Sequence, residues 1–250
     1  MCTTESSGAA RISPLTSVTP FEYPRLRMNT ANITANARKV VAECQRRGIE
    51  PMAVTKGVCG DANVVDAMLA GGVRTIGDSR LDNLARLRSD CMTTFGDDAN
   101  GVQVWLIRSP APQEVESCVR VCHGSLHSDM GVLRLMNQAM DRLNNDLSEQ
   151  QRLQQHRVVL MVDIKSQREG LLPDELLGAV DEIQHSLPHL HLQGLGLYAD
   201  VTSDIKFRNK AQQTLASLAA GIRAKRGLEL PWVSGGSSNI FGTAIVAAAE

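Results

Sequence analysis

The sequence predicts an α/β protein built as a TIM-type (β/α)8 barrel, and three observations carry that reading. Short apolar runs of strand length alternate with longer runs of helical periodicity, with no hairpin signal between them. Strands alternating with helices in this way are parallel and joined by crossovers. The chain has 250 residues, a length that a single α/β barrel commonly takes. Seven strand units follow an initial helix, which fits a barrel better than the runner-up, an open doubly-wound sheet.

Taken in order, Asn29 to about Arg47 reads as an amphipathic helix with Ile33, Ala37, Val40, Val41 and Cys44 on one face. Gly48 suits its C-terminal cap. Pro51-Met52-Ala53-Val54-Thr55-Lys56 then reads as a buried strand covered on both faces. Asp61 is placed to cap a helix through Val64, Val65, Met68 and Leu69, which Gly71-Gly72 stops. Val73 to Ile76 is the second strand, and Asp78 or Ser79 can cap the helix carrying Leu81, Leu84 and Leu87. Val102 to Ile107 is the third strand, and Pro110 and Pro112 open the next helix. Ser125-Leu126-His127 is a weak fourth strand, followed by a helix through Leu135, Met136 and Leu143. Arg157 to Ile164 is the strongest strand of the chain, with a helix from Pro173 after it. His191 to Leu197 makes strand six, Ala211 to Arg226 a helix, and Pro231 to Ser234 strand seven. Ser237 to Glu250 is too short for a crossover helix and an eighth strand. The barrel is therefore expected to be C-terminally short, with strand eight missing or vestigial.

Composition excludes several classes. Lys plus Arg number 26 against 27 Asp plus Glu, and no polybasic stripe stands out, so there is no case for nucleic acid. No apolar run approaches the length of a membrane span. The six cysteines form neither a C-x-x-C pair nor a disulfide framework, which suits a reducing, cytoplasmic setting. Cys118-x3-Cys122-His123 and the trio His185, His189 and His191 lack metal-site spacing, so no metal is expected. Residues 1–22 are small and polar without a hydrophobic signal stretch, and read as a disordered leader before a domain over 23–250.

The chemistry is expected at strand ends. Lys56 closes the first strand, where α/β folds carry their reactive groups. An apolar strand behind it should strip solvent from the amine and favour the neutral form that attacks a carbonyl. A lysine reaching from a strand end into a solvated loop has the same pattern. Gly235, Gly236 and Ser238 follow strand seven in a turn suited to a phosphate. Arg168, just past strand five, could hold an anionic oxygen through its planar fork, or could belong to an exposed Arg/Glu loop.

The run Ala53-Val54-Thr55-Lys56-Gly57-Val58-Cys59-Gly60-Asp61, then Gly72-Val73, Ile76-Gly77-Asp78-Ser79-Arg80 and Asp82-Asn83-Leu84, resembles the alanine/ornithine racemase-like family. The similarity runs from about Tyr23 to about Asn239. The resemblance implies pyridoxal 5'-phosphate (PLP), a barrel domain, and Lys56 as the catalytic lysine that carries the cofactor as a Schiff base. It implies Arg168 near the cofactor's phenolic oxygen or the substrate carboxylate, and Gly235, Gly236 and Ser238 at its phosphate. Relatives place an asparagine where this chain has Ser237, and Thr-Asn where it has Leu197-Tyr198. The implied ligand is a small molecule, an amino acid, and a homodimer is among the expectations. The family's second acid/base, a tyrosine from a C-terminal β-domain, has no counterpart in the sequence. An amino-acid racemase of low activity is thus the leading expectation, with a non-catalytic PLP carrier as the alternative. A cofactor-free Schiff-base lyase and an inactive product complete the set.

Overall fold

The computed structural model describes residues 27–90, 101–198 and 204–236. The expected leader and the stretch from Ser237 onward lie outside these. Seven strands form one sheet in the sequential order β1 to β7: β1 (Met52–Val54), β2 (Thr75–Asp78), β3 (Gln103–Leu106), β4 (Gly124–His127), β5 (His156–Met161), β6 (Leu190–Gly196) and β7 (Trp232–Ser234). Every neighbouring pair is parallel. The connecting helices are α2 (Ala62–Ala70), α3 (Leu81–Asp90), α4 (Val115–Val121), α5 (Met130–Asn145), α6 (Leu176–Ser186) and α7 (Ile205–Arg226), after an initial α1 (Thr30–Gln45). This is a TIM-type β/α barrel with no eighth strand among the described residues.

Local chemistry sets the element ends. The Asp61 carboxylate accepts the Val64 N–H at 3.1 Å, and Asn29 does the same for Asn32 at 3.0 Å, so both polar caps satisfy a helix-start amide. Gly71 terminates α2, as the sequence implies. Strand β2 lies two residues later than expected, because it pairs Thr75 with Met52 and Gln103. Helix α7 begins six residues before its expected start, with the Asp204 carboxylate accepting the Lys206 N–H at 3.3 Å.

The curl of the sheet can be derived from two indoles. Trp105 on β3 and Trp232 on β7 stack with ring centroids 4.5 Å apart. In a flat sheet four strand steps would separate them by about 19 Å. Their contact requires the sheet to close on itself, with both rings inside. Gly124, level with Trp105 on β4, makes room: a Cβ there would lie 2.5 Å from the Trp105 ring. Gly124→Ala should therefore destabilise the protein by about 1–3 kcal/mol through overpacking. Near-UV circular dichroism and the unfolding midpoint would register it; an unchanged indole signal would contradict the packing.

The other core lies between sheet and helices, where Ile76, Leu106, Leu160 and Leu195 meet Leu84, Leu133, Met136 and Leu215. The first strand differs from expectation. β1 is only half-buried and Val54 is 44 % exposed, because β1 is an edge of the sheet among the described residues.

The helix-facing side of β4 carries a polar cluster. The Ser125 hydroxyl lies 2.7 Å from Nε2 of both His127 and His156. A hydroxyl donates once, so with neutral rings it donates to one and accepts from the other. Cys118 and Cys122 are buried as the helical spacing implies, and both interact here. The hydrogen bond to Cys118 and burial push the Cys122 thiol up. Burial first, and then His156, push His127 down to about 3. Its Nδ1 has no hydrogen-bond partner. Unfolded, His127 protonates near its ordinary value, so its contribution is complete above about pH 6.5 and is lost as pH falls toward 3. Between pH 7 and pH 4 the wild type should lose on the order of 3 kcal/mol more than His127→Gln. Urea midpoints at the two pH values measure this, and equal losses would contradict it.

Candidate functional site

In a parallel sheet all strand C-termini lie on one side, and the candidate residues emerge there. Lys56 follows β1, Arg168 follows β5, and Gly235-Gly236 follow β7. Ser238 lies outside the described residues.

Strand β1 ends because Thr55 leaves extended geometry, at φ −103° and ψ −1°. Lys56 to Val58 then form a single 3-10 turn, closed by Cys59 in the left-handed region at φ 52°. The Val58 N–H donates to the Thr55 carbonyl at 3.0 Å and the Gly60 N–H donates to the same oxygen at 3.2 Å. The Lys56 side chain is exposed. This corrects the expectation of an amine stripped of solvent by its strand: among the described residues β1 is an edge, and Val54 beside the turn is itself exposed.

The loop after β5 is built around Asp163. Its Oδ1 accepts the Ser166 N–H at 2.7 Å, the Ser166 hydroxyl at 2.9 Å and the Gln167 N–H at 3.1 Å. These bonds hold Lys165 and Gln167 at positive φ and bring the chain back to pair Leu171 with Val162. Arg168 projects from this loop, with its Nε 3.6 Å from Glu169. Its guanidinium carbon lies 4.0 Å from the centre of the Tyr198 ring, a cation–π contact. In the sequence Tyr198 stands out only as part of the Leu197-Tyr198 departure from relatives. It is half-buried just past β6, and with Arg168 it forms a polar pair at the strand ends.

The turn after β7 is tied to α7. Gly236 has φ 105°, a conformation that favours glycine. The Gly235 carbonyl accepts from the Gln212 amide at 3.5 Å, and Oε1 of this buried glutamine has no partner. Sequence reasoning missed Gln212. The one signal for it was a polar residue beside Ala211 on the apolar stripe of α7.

Between β2 and β3 the same end of the sheet is braced by Arg108. Its Nε donates to the Ser79 carbonyl at 2.6 Å, and its two terminal nitrogens bind Glu114 at 2.7 and 2.8 Å. That hydrogen-bonded guanidinium holds the Glu114 carboxyl down at about 2. Among the described residues no helix is long and apolar enough to cross a membrane. No group of three or more His, Cys, Asp or Glu there could hold a metal ion.

A parallel β/α barrel with a lysine, an arginine and a glycine turn at its strand ends defines a class in which loops carry the chemistry. The chain belongs to the alanine racemase N-terminal domain family, whose profile matches residues 28–248. It is 28 % identical over 218 residues to an ornithine racemase from Acetoanaerobium sticklandii, covering 87 % of this chain and 56 % of that protein. A lysine racemase from Thermotoga maritima is 26 % identical over 218 residues, covering 86 % and 55 %. The chain thus spans about half the length of these curated relatives. Among solved structures it is similar to PipY of Synechococcus elongatus with PLP bound. The TM-score is 0.62 at 14 % identity, over 79 % of this chain and 87 % of that one. It is also similar to alanine racemase from E. faecalis, with TM-score 0.59 and 21 % identity over 76 % and 49 %.

Proposed function

We propose that this chain binds PLP at the C-terminal ends of its strands and acts as an amino-acid racemase-like domain, with Lys56 as the covalent attachment point and catalytic base. The observation that carries the reading is the emergence of Lys56, Arg168 and Gly235-Gly236 on one side of the sheet. The donor set fits the cofactor chemically. A primary amine meets an aldehyde, a guanidinium meets an anionic oxygen, and N–H groups of a glycine turn meet a phosphate. Ser238 would add a hydroxyl to that turn.

The cofactor, when bound, supplies an electron sink that acidifies the Cα–H of an attached amino acid. The protein's own residues do the rest. The Lys56 Nζ, when neutral, accepts a proton from one face of Cα. Arg168 orients a carboxylate or the phenolic oxygen through its fork, and its stack on Tyr198 limits the rotamers it samples. The Gly235-Gly236 turn fixes the phosphate, and with it the distance of the ring from Lys56.

A second reading, a non-catalytic PLP carrier, is favoured by the extent of the likeness to PipY, which covers most of that protein. The two diverge on proton exchange. Protein reconstituted with PLP is incubated with ornithine, lysine or alanine in deuterium oxide, followed by mass spectrometry and chiral chromatography. The racemase-like reading expects exchange at Cα, slow in this chain, since general acid–base groups contribute about 10²–10⁴-fold each and only Lys56 is assigned. Retained PLP with no exchange above free PLP means the carrier. No retained PLP contradicts both.

A further inference from the structure

We propose that Asp78 is a positioning residue for Lys56, fixing both ends of the turn from which the amine projects; this rests on the reading of Lys56 as the reactive lysine. Asp78 ends β2 and is fully buried, as is Thr55, the residue just before Lys56. The Thr55 hydroxyl donates to Asp78 Oδ2 at 2.7 Å. Asp78 Oδ1 accepts the Arg80 N–H at 2.9 Å and the Asn83 side-chain amide at 3.2 Å. The amide oxygen of Asn83 in turn accepts from Arg86 at 3.3 Å. The same guanidinium nitrogen reaches back to donate to the Cys59 carbonyl at 2.5 Å. One carboxylate therefore holds Thr55 directly and Cys59 through two relays, and the turn Lys56–Val58 lies between those two residues.

The arrangement answers a need created by the edge. β1 has a strand neighbour on one side only among the described residues, and the Lys56 side chain is exposed. Among the described residues the turn is largely exposed at Lys56, Gly57 and Cys59, so hydrogen bonds from β2 and α3 fix the backbone that carries the amine. A reacting group held loosely loses rate steeply, and its precision is set by the residues that hold its neighbours. All three donors converge on Asp78; removing it would leave the buried Thr55 hydroxyl with only its longer 3.4 Å contact to the Gly77 carbonyl and take from the buried Asn83 amide its acceptor.

The test uses variants that keep the fold. Arg86 is on the surface, so Arg86→Ala should retain the unfolding midpoint, and Thr55→Val and Thr55→Ser are close in size to the native residue. Labelling of Lys56 by PLP with cyanoborohydride is followed by peptide mass mapping, with reductive methylation by formaldehyde in parallel. PLP labelling of Lys56 should fall about 10-fold in Arg86→Ala and Thr55→Val. Methylation of the same exposed amine should be unchanged, and Thr55→Ser should restore PLP labelling. A role in stability alone would not separate the two reagents. Wild-type PLP labelling in both Arg86→Ala and Thr55→Val overturns the proposal. Hydrogen exchange at the Val58, Cys59 and Gly60 amides reads the same turn without any cofactor. Exchange about 10-fold faster in both variants supports the role, and unchanged exchange overturns it. If wild-type protein takes no PLP label at Lys56 while exchange does accelerate, the functional reading fails and the tethered turn stands.

Discussion

Lys56→Ala should lose PLP retention by about 100-fold or more, with the visible absorbance of the reconstituted protein lost as well. Arg168 and the Gly235-Gly236 turn can still hold the cofactor's anionic groups, so a weak, non-covalent association remains, which gel filtration strips away. Lys56→Arg should behave like the alanine variant. A guanidinium keeps its proton at any pH the protein survives and cannot condense with an aldehyde. Equilibrium dialysis followed by a spectrum after gel filtration measures both. Visible absorbance retained in Lys56→Ala would move the attachment to another lysine and end the assignment.

The second large effect is expected at Gly236. Its φ of 105° is one that side chains other than glycine rarely adopt. Valine there would twist the turn and turn its N–H groups away from the phosphate position. Hydrogen bonds to a charged group contribute about 1.5–3 kcal/mol each. Gly236→Val should therefore weaken PLP about 10- to 100-fold, while pyridoxal, which lacks the phosphate, changes little. The comparison of the two ligands decides the cause. Equal losses mean a distorted fold, and no loss for either removes Gly235-Gly236 from the site.

The fold was legible because its signals are local. Asp61 as a helix cap, Gly71 as a stop and the apolar runs of β3 and β5 act over a few residues, and each element forms where those residues fall. The shift of β2 from Val73–Ile76 to Thr75–Asp78 was not legible. Register is set by partners on β1 and β3, which lie 23 to 28 residues away in the chain. The same applies to the late recognition of Asp78. In the sequence it passes for a helix cap next to Ser79, and only the fold shows its carboxylate turned to Thr55 and Asn83.

Candidate residues for the site could be nominated by type from the sequence, but their environment could not. Lys56 and Arg168 were nominated as candidates from strand ends and resemblance, and the fold puts both at the C-terminal ends of strands. The exposure of Lys56 was misjudged because burial of a strand end depends on both neighbouring strands, and β1 has β2 alone among the described residues. The Arg168–Tyr198 stack and the Gln212–Gly235 hydrogen bond join residues 30 and 23 positions apart. No local pattern marks either pair, since one contact comes from the pairing of β5 with β6 and the other from the packing of α7 on β7.

The central claim is that Lys56 carries the cofactor, and borohydride reduction of the PLP-loaded chain followed by peptide mapping tests it most directly. Reduction makes the linkage permanent, so the adduct reports the site without any requirement for turnover. The account predicts one phosphopyridoxyl group per chain, on the peptide containing Lys56. An adduct on Lys165, Lys206 or Lys210, or a label scattered over several lysines, would contradict it.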